Sequence, residues 1–157
     1  MKQIKNQTIE YFLKDLSSKS PAPGGGSVAA MTGAHAASLV SMVCRLTIGK
    51  KKYAGIENEM KKILRKADKL RDNFLTLAED DKQAFLEAVK NKYSKASLKR
   101  AAAVPSKTAK LADEILILTE IVVKKGNKNT VTDAKIAVDL AKLAKRGAIL
   151  NVKANIA

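Results

Sequence analysis

The residue of this chain best suited to move protons is a carboxylate set on an apolar helix face. Over 55–92, Ile56, Met60, Ile63, Ala67, Leu70, Phe74, Ala78, Phe85 and Ala88 recur at spacings of three and four, the repeat of one face of a helix. Between Ala78 and Phe85 that stripe passes through Asp81. A carboxylate there is costly unless it is paired or hydrogen-bonded, and burial raises its proton affinity toward the range useful for general acid–base work. The competing reading places Asp81 at the stripe edge, reaching water or a lysine. Asp80 points off the stripe and is read as solvated.

Two further stretches could meet a ligand. Ser20-Pro21-Ala22-Pro23-Gly24-Gly25-Gly26-Ser27 stiffens the backbone with prolines and then frees it with glycines, for positive φ or for close approach of another group. Ser27 is expected to cap the helix that follows, whose first N–H groups suit a carbonyl, carboxylate or phosphate oxygen. A plain tight turn before a buried helix fits the same residues. Thr47-Ile48-Gly49-Lys50 puts a hydroxyl and an ammonium at the far end of that helix. Lys50 serves there as an anion hook or as a cation complementing the helix dipole. The glycine loop is no phosphate-binding P-loop, because no Gly-Lys-Ser/Thr follows, and no dinucleotide fingerprint, because Gly-x-Gly-x-x-Gly and a βαβ setting are both missing.

The elements that must carry these residues are all helical. No useful run alternates as a strand does. A first helix is expected over 7–18 with Ile9, Phe12, Leu13 and Leu16 on one face. A second spans 27–48, ended by Gly49, and a third spans 55–92. A less regular basic stretch covers 93–104, after which Pro105 starts or kinks a helix over 105–124 with Ala109, Ala112, Leu116 and Ile117 on its apolar side. Gly126-Asn127 breaks that helix. Thr130, with Asp133 in capping-box position, starts a last one running to about 150 along Ala134, Ala137, Ala141, Ala144 and Ala148. The expectation is one all-α domain over 1–157, a bundle of about five helices.

Composition bounds the function classes. Aromatics make up 4% and tryptophan is absent, so the core is aliphatic and alanine-rich, and such chains often add burial by oligomerising. The lone Cys44 allows no internal disulfide, and its apolar setting reads as packing rather than as a nucleophile. One cysteine and one histidine cannot build a zinc cluster, carboxylate-rich sites apart. The N-terminus is polar with no signal-type apolar core, and the 28–44 segment is too rich in Ala, Ser, Gly and Thr for a good span. The expectation is a cytoplasmic protein without membrane contact. His35, among alanines, reads as packed or partner-facing, and Met31, Met42 and Met60 as core filler. Thirty basic against fifteen acidic residues give a net charge of +15, which favours an anionic partner. The lysines are scattered and stacking aromatics few, which disfavours a dedicated nucleic-acid reader.

Taken in order, these residues resemble a known family. Pro23-Gly24-Gly25-Gly26-Ser27 with its Ala/Gly-rich helix, Leu46-Thr47-Ile48-Gly49-Lys50-Lys51 and Asp81-Lys82-Gln83-Ala84-Phe85 come first. Pro105, Gly126-Asn127, Thr132-Asp133-Ala134 and Gly147-Ala148-Ile149-Leu150-Asn151-Val152-Lys153-Ala154-Asn155 follow. The ordered set is similar to the formiminotransferase-cyclodeaminase C-terminal domain family, which includes stand-alone methenyltetrahydrofolate cyclohydrolases, and it covers nearly the whole chain. Thr132 stands where that family usually shows serine, and 91–104 is shorter than usual.

The resemblance implies an intertwined all-α homodimer that binds a reduced, polyglutamylated folate in a cleft near the dimer interface. It implies no metal and no cofactor beyond the tetrahydrofolate substrate. The implied activity is closure of 5-formiminotetrahydrofolate with loss of ammonia, or opening of the 5,10-methenyl bridge by water. In either reaction Asp81 is the expected proton shuttle. Gly24, Gly25, Gly26, Ser27, Thr47, Lys50, Asn127 and Asp133 are the expected substrate-binding positions, the glycine loop on the pterin or a polar edge of the folate and Lys50 on the glutamate tail. The alternative is a non-catalytic basic helical protein that binds folate or nucleic acid.

Overall fold

The computed structural model describes residues 2–156. Among them are five α-helices and no strand: α1 (Ile9–Leu16), α2 (Gly25–Thr47), α3 (Glu57–Lys90), α4 (Lys95–Lys125) and α5 (Val131–Ile156). The long helices alternate in direction. Ser27 of α2 meets Ala78 and Asp81 of α3, while Ser41 and Arg45 meet Asp68, so α2 and α3 are antiparallel. Lys125–Glu59, Lys66–Glu114 and Arg100–Glu87 pair α3 with α4, and Lys145–Asp113 and Asn155–Ala101 pair α4 with α5, each antiparallel. These exposed ion pairs add little stability each. The result is an up-down-up-down bundle in which α2 lies against all three of its long partners.

Small residues make this central position possible. Ala30, Ala36 and Ala37 of α2 are fully buried, as are Ala134, Ala137, Ala141, Ala144 and Ala148, the expected stripe of α5. Alanine and glycine let helix axes approach closely. A Cβ on Gly147 would stand 3.1 Å from the Ala29 Cβ, and one on Gly33 only 2.5 Å from the Phe74 ring. The larger side chains come from α3 and α4, with Met60, Phe74, Ile115 and Val122 at the centre. α2 is long and apolar enough to cross a membrane, but most of it is buried inside this bundle. The Cys44 thiol lies in the same core, and burial pushes its pKa up to about 12, which leaves it inert as a nucleophile.

Several helix boundaries differ from expectation. The first turn of α2 starts at Gly25, with Gly24 as N-cap, so Ser27 is inside the helix and does not cap it. Residues 95–125 form one continuous helix that Pro105 neither starts nor breaks. Proline has no N–H, so the Ala101 carbonyl loses its helical partner; the Asn155 side chain of α5 donates to that carbonyl at 3.2 Å instead. The buried face of α4 runs through Ala101, Pro105, Thr108, Ala112, Ile115 and Val122, whereas Ile117 is exposed and Ala109 and Leu116 are only half-buried. Thr130 directly precedes α5, as expected, and its hydroxyl donates back to the Asn127 carbonyl at 2.8 Å. Asn127 organises that turn by accepting from the Asn129 N–H. α1 is shorter than expected and buries Phe12, while Ile9 and Leu13 stay 80% and 53% exposed.

The contact between Gly33 and Phe74 gives a direct check on this packing. Gly33→Ala should lower stability by about 1–3 kcal/mol through overpacking, despite the better helix propensity of alanine. Adding Phe74→Leu should make the two changes strongly non-additive in a double-mutant cycle by denaturant melting. A neutral or stabilising Gly33→Ala would show that the two helices do not meet as described.

Candidate active site

At the N-terminal end of α2, four elements converge on one carboxylate. The loop Ser20–Gly24 enters from α1 with a cis bond between Ala22 and Pro23. The first turn of α2 then presents Gly25, Gly26 and Ser27 to α3. Asp81 of α3 lies directly over Gly26, so that any side chain on Gly26 would overlap the carboxylate. Gly26 is required for this close approach rather than for an unusual backbone angle. The Ser27 hydroxyl is 3.0 Å from Asp81 Oδ2 and 2.9 Å from the Ala78 carbonyl, to which it also donates. The Ser27 backbone N–H donates to the same carboxylate.

The electrostatics of Asp81 set it apart from the other carboxylate facing α2. Burial raises the Asp81 pKa above its ordinary value, and the two Ser27 hydrogen bonds only partly offset this. Asp68, thirteen residues earlier on α3, is also penalised by burial, but Ser41, Arg45 and Arg71 hold its carboxyl below the usual range. The helix-face argument from sequence therefore located a half-buried, hydroxyl-bonded acid, whereas Asp80 is exposed.

Asp81 lines a cleft of about 180 Å³ together with Pro21, Gly24, Gly25, Gly26, Phe85 and Asn151. Ligand sites for drug-sized molecules run to roughly 300–1,000 Å³, so this cleft by itself encloses one ring of such a ligand. Asn151 and Asn155 contribute from the last turns of α5. They went unremarked as functional positions, although they are spaced one helical turn apart and were among the residues carrying the family resemblance. Lys82, also missed, is 3% exposed and bonds Asp15 of α1 at 3.1 Å. A lysine directly after an apolar-face aspartate was the available signal. The pair fixes α1, and with it the loop that leads into the cleft.

The other expected binding positions lie at the opposite end of α2, roughly 33 Å away at 1.5 Å per residue over its length. Thr47 is fully buried: its hydroxyl donates to the Val43 carbonyl at 2.6 Å and accepts from the Asn127 N–H at 2.9 Å. The Asn127 side chain donates to the Leu46 carbonyl at 2.8 Å. These bonds fasten the α4–α5 turn to the end of α2. Lys50 is exposed just beyond Gly49, which takes the left-handed conformation at φ 78°, and Asp133 is half-buried in the first turn of α5. Within one chain these four residues do not share a cleft with Asp81.

A model of the formiminotransferase-cyclodeaminase family matches residues 8–157. The methenyltetrahydrofolate cyclohydrolase of Methylorubrum extorquens is 42% identical, over 96% of this chain and 79% of that protein. The formimidoyltransferase-cyclodeaminase of Mus musculus is 27% identical over 95% of this chain, which spans only 30% of that longer protein. The crystal structure of a formiminotetrahydrofolate cyclodeaminase from Thermotoga maritima superposes with a TM-score of 0.94 at 30% identity, covering 98% of this chain and 80% of that one. The cleft around Asp81 thus sits in a chain that belongs to the formiminotransferase-cyclodeaminase family.

Proposed function

We propose that this chain is a folate one-carbon enzyme that adds water to the bridge of 5,10-methenyltetrahydrofolate and opens it to 10-formyltetrahydrofolate, with Asp81 as the proton shuttle. The observation that carries the chemistry is a carboxyl group held in a cleft, hydrogen-bonded to Ser27, with its proton affinity raised by burial. The 42% identity to a methenyltetrahydrofolate cyclohydrolase supports this choice of reaction.

The steps follow from what a carboxylate can do. Ionised Asp81 takes a proton from a water as its oxygen bonds to the cationic bridge carbon. This gives a neutral tetrahedral carbon bearing N5, N10 and a hydroxyl. Protonated Asp81 gives its proton to N5 as the C–N5 bond breaks, and the freed carboxylate takes the hydroxyl proton as the C=O bond forms. The formyl group remains on N10, and Asp81 then releases to solvent the one proton that the hydration yields. Ser27 holds the carboxylate in place. The Gly25 and Gly26 N–H groups, at the positive end of α2, are suited to a ligand oxygen. The second reading, closure of a formimino group with loss of ammonia, is favoured by the Thermotoga maritima likeness. It uses the same shuttle and differs in the atom that leaves.

The reading includes a homodimer. In a chain with 29% charged residues, α2 carries only one, Arg45. Its uncovered positions are Met31, Thr32, His35, Ser38, Leu39, Met42 and Leu46, next to exposed Ile9 and Leu13 of α1. Thr32 and Ser38 bond their own helix. His35 Nδ1 donates to the Met31 carbonyl, leaving Nε2 as an outward acceptor in the neutral ring. Such an uncharged face suits a second copy. Antiparallel pairing along it would bring Thr47, Lys50, Asn127 and Asp133 of one chain toward the cleft of the other, where Lys50 could take the glutamate tail.

The loss of methenyl absorbance in the near ultraviolet tests the reaction. Wild-type protein should consume 5,10-methenyltetrahydrofolate with water alone; formation of that chromophore from 5-formiminotetrahydrofolate would select the second reading, and no turnover of either would overturn both. Asp81→Asn should lower turnover by about two to four orders of magnitude. Its effect on stability has the opposite sign. A carboxyl whose pKa is raised in the folded state binds more protons there than when unfolded, so stability falls as pH rises from the ordinary 3.8 through the raised value. Asp81→Asn should therefore melt no lower than wild type at pH 7, and its advantage should vanish in acid. Near-normal turnover per folded molecule with earlier melting would make Asp81 a structural cap. Sedimentation at micromolar concentration should show a dimer, and a charge placed on the face by Ser38→Glu should dissociate it. A wild-type monomer would remove the second copy from the account.

A further inference from the structure

We propose that Asn151 is a specificity-determining residue that reads the lactam edge of the pterin ring, its N3–H and C4 carbonyl. The inference rests on the folate reading above. Asn151 comes from α5 and reaches the glycine turn from one side, while Asp81 reaches it from α3. The Asn151 Nδ2 and Oδ1 atoms lie 3.5 and 3.9 Å from where a Cβ on Gly25 would stand, as Asp81 crowds the same position of Gly26. Both side chains line one cleft. A ring seated on this first turn therefore has a proton-transfer group at one flank and a carboxamide at the other.

The carboxamide is held in a single orientation. Asn151 Nδ2 donates to the Gly147 carbonyl at 2.9 Å. A carbonyl only accepts, so the nitrogen must face it and the amide cannot turn over. That bond uses one N–H. The second N–H and the Oδ1 lone pairs have no partner among the described residues. The neighbouring Asn155 is occupied differently, since its N–H completes the Ala101 carbonyl that Pro105 leaves open between helices. The Asn151 bond is local, one turn back on its own helix, so it orients the side chain without joining elements of the fold.

An oriented carboxamide offers one donor beside one acceptor. The lactam of a pterin offers the complement, a donor at N3 and an acceptor at the C4 oxygen. A 4-amino pteridine presents the reverse at this edge, an amino donor beside a bare ring nitrogen. A side chain free to flip would accept both forms, whereas one pinned by Gly147 distinguishes them. Sites built to hydrogen-bond a substrate reject analogues that leave those groups unpaired far more strongly than apolar pockets reject a change of size.

The test compares the methenyl derivative of tetrahydrofolate with that of its 2,4-diamino counterpart, for wild type, Asn151→Leu and Asn151→Asp. Binding is read by equilibrium dialysis, turnover by absorbance and folding by circular dichroism. Wild type should prefer the 4-oxo ligand by at least about tenfold. Asn151→Leu should weaken it by about 10- to 100-fold, with KM rising more than kcat falls. Asn151→Asp, of nearly the same volume, only accepts. It can take one bond from either ligand, from N3–H of the 4-oxo form or from the amino group of the 4-amino form, and faces one acceptor in each, so the preference for the 4-oxo ligand should collapse toward unity. Should Asn151→Leu fail to fold, the Asn151→Asp preference ratio decides alone. An unchanged ratio, or equal weakening of both ligands, would overturn the proposal while the folate reading stands. A wild type that binds neither ligand would overturn both.

Discussion

A carboxylate pressed against the first turn of a helix is the contact on which the rest of this structure is arranged. Asp81 lies over Gly26 and takes hydrogen bonds from the hydroxyl and the N–H of Ser27. Two physical effects oppose each other there. The positive end of α2 and its free N–H groups favour the ionised acid, while removal from water favours the neutral one. The balance falls toward burial. An acid poised in this way exchanges a proton readily, whereas one ringed by guanidinium groups, like Asp68, remains ionised and serves the fold.

The surrounding elements maintain that contact. Small residues on α2 allow α3 and α5 to close on it, which sets Asp81 and Asn151 on either side of the glycine turn. The buried Lys82–Asp15 pair ties α1 to α3 immediately beside Asp81, and so fixes where the loop leaves α1. Removing one member of such a pair leaves an uncompensated buried charge, so the pair holds the loop more firmly than its net stabilisation implies. Pro105 contributes indirectly. The carbonyl it leaves unbonded draws Asn155 across from α5 and holds the end of that helix over the cleft.

Much of this was legible in the sequence because helical periodicity is local. The stripe along α3, the alanine ladder of α5, the stop at Gly49 and the anomaly at Asp81 were read from spacing alone, and each has its place in the bundle. The remainder depends on contacts between elements. Ser27 has the residue type of a cap, but its partner is fifty-four positions away. Pro105 looked like a boundary because the side-chain N–H that compensates for it, from Asn155, lies on another helix. Thr47 and Asn127 carry hydrogen-bonding groups, yet they spend them on backbone: the Thr47 hydroxyl on the Val43 carbonyl and the Asn127 N–H, the Asn127 side chain on the Leu46 carbonyl and the Asn129 N–H, which only the meeting of the α4–α5 turn with the end of α2 reveals. Ile9 and Leu13 fit an apolar face that this chain alone does not cover.

The balance at Asp81 can be measured in the free protein, without substrate. Carboxyl-carbon NMR of Asp81, followed through a pH titration, reports the proton affinity of this one group. The Asp81 midpoint should lie above the ordinary aspartate value of 3.8, and the Asp68 midpoint below it. A midpoint for Asp81 at or below the ordinary value would mean that the helix terminus dominates, and that Asp81 is a fixed cap for α2 rather than the group that carries protons in the cleft.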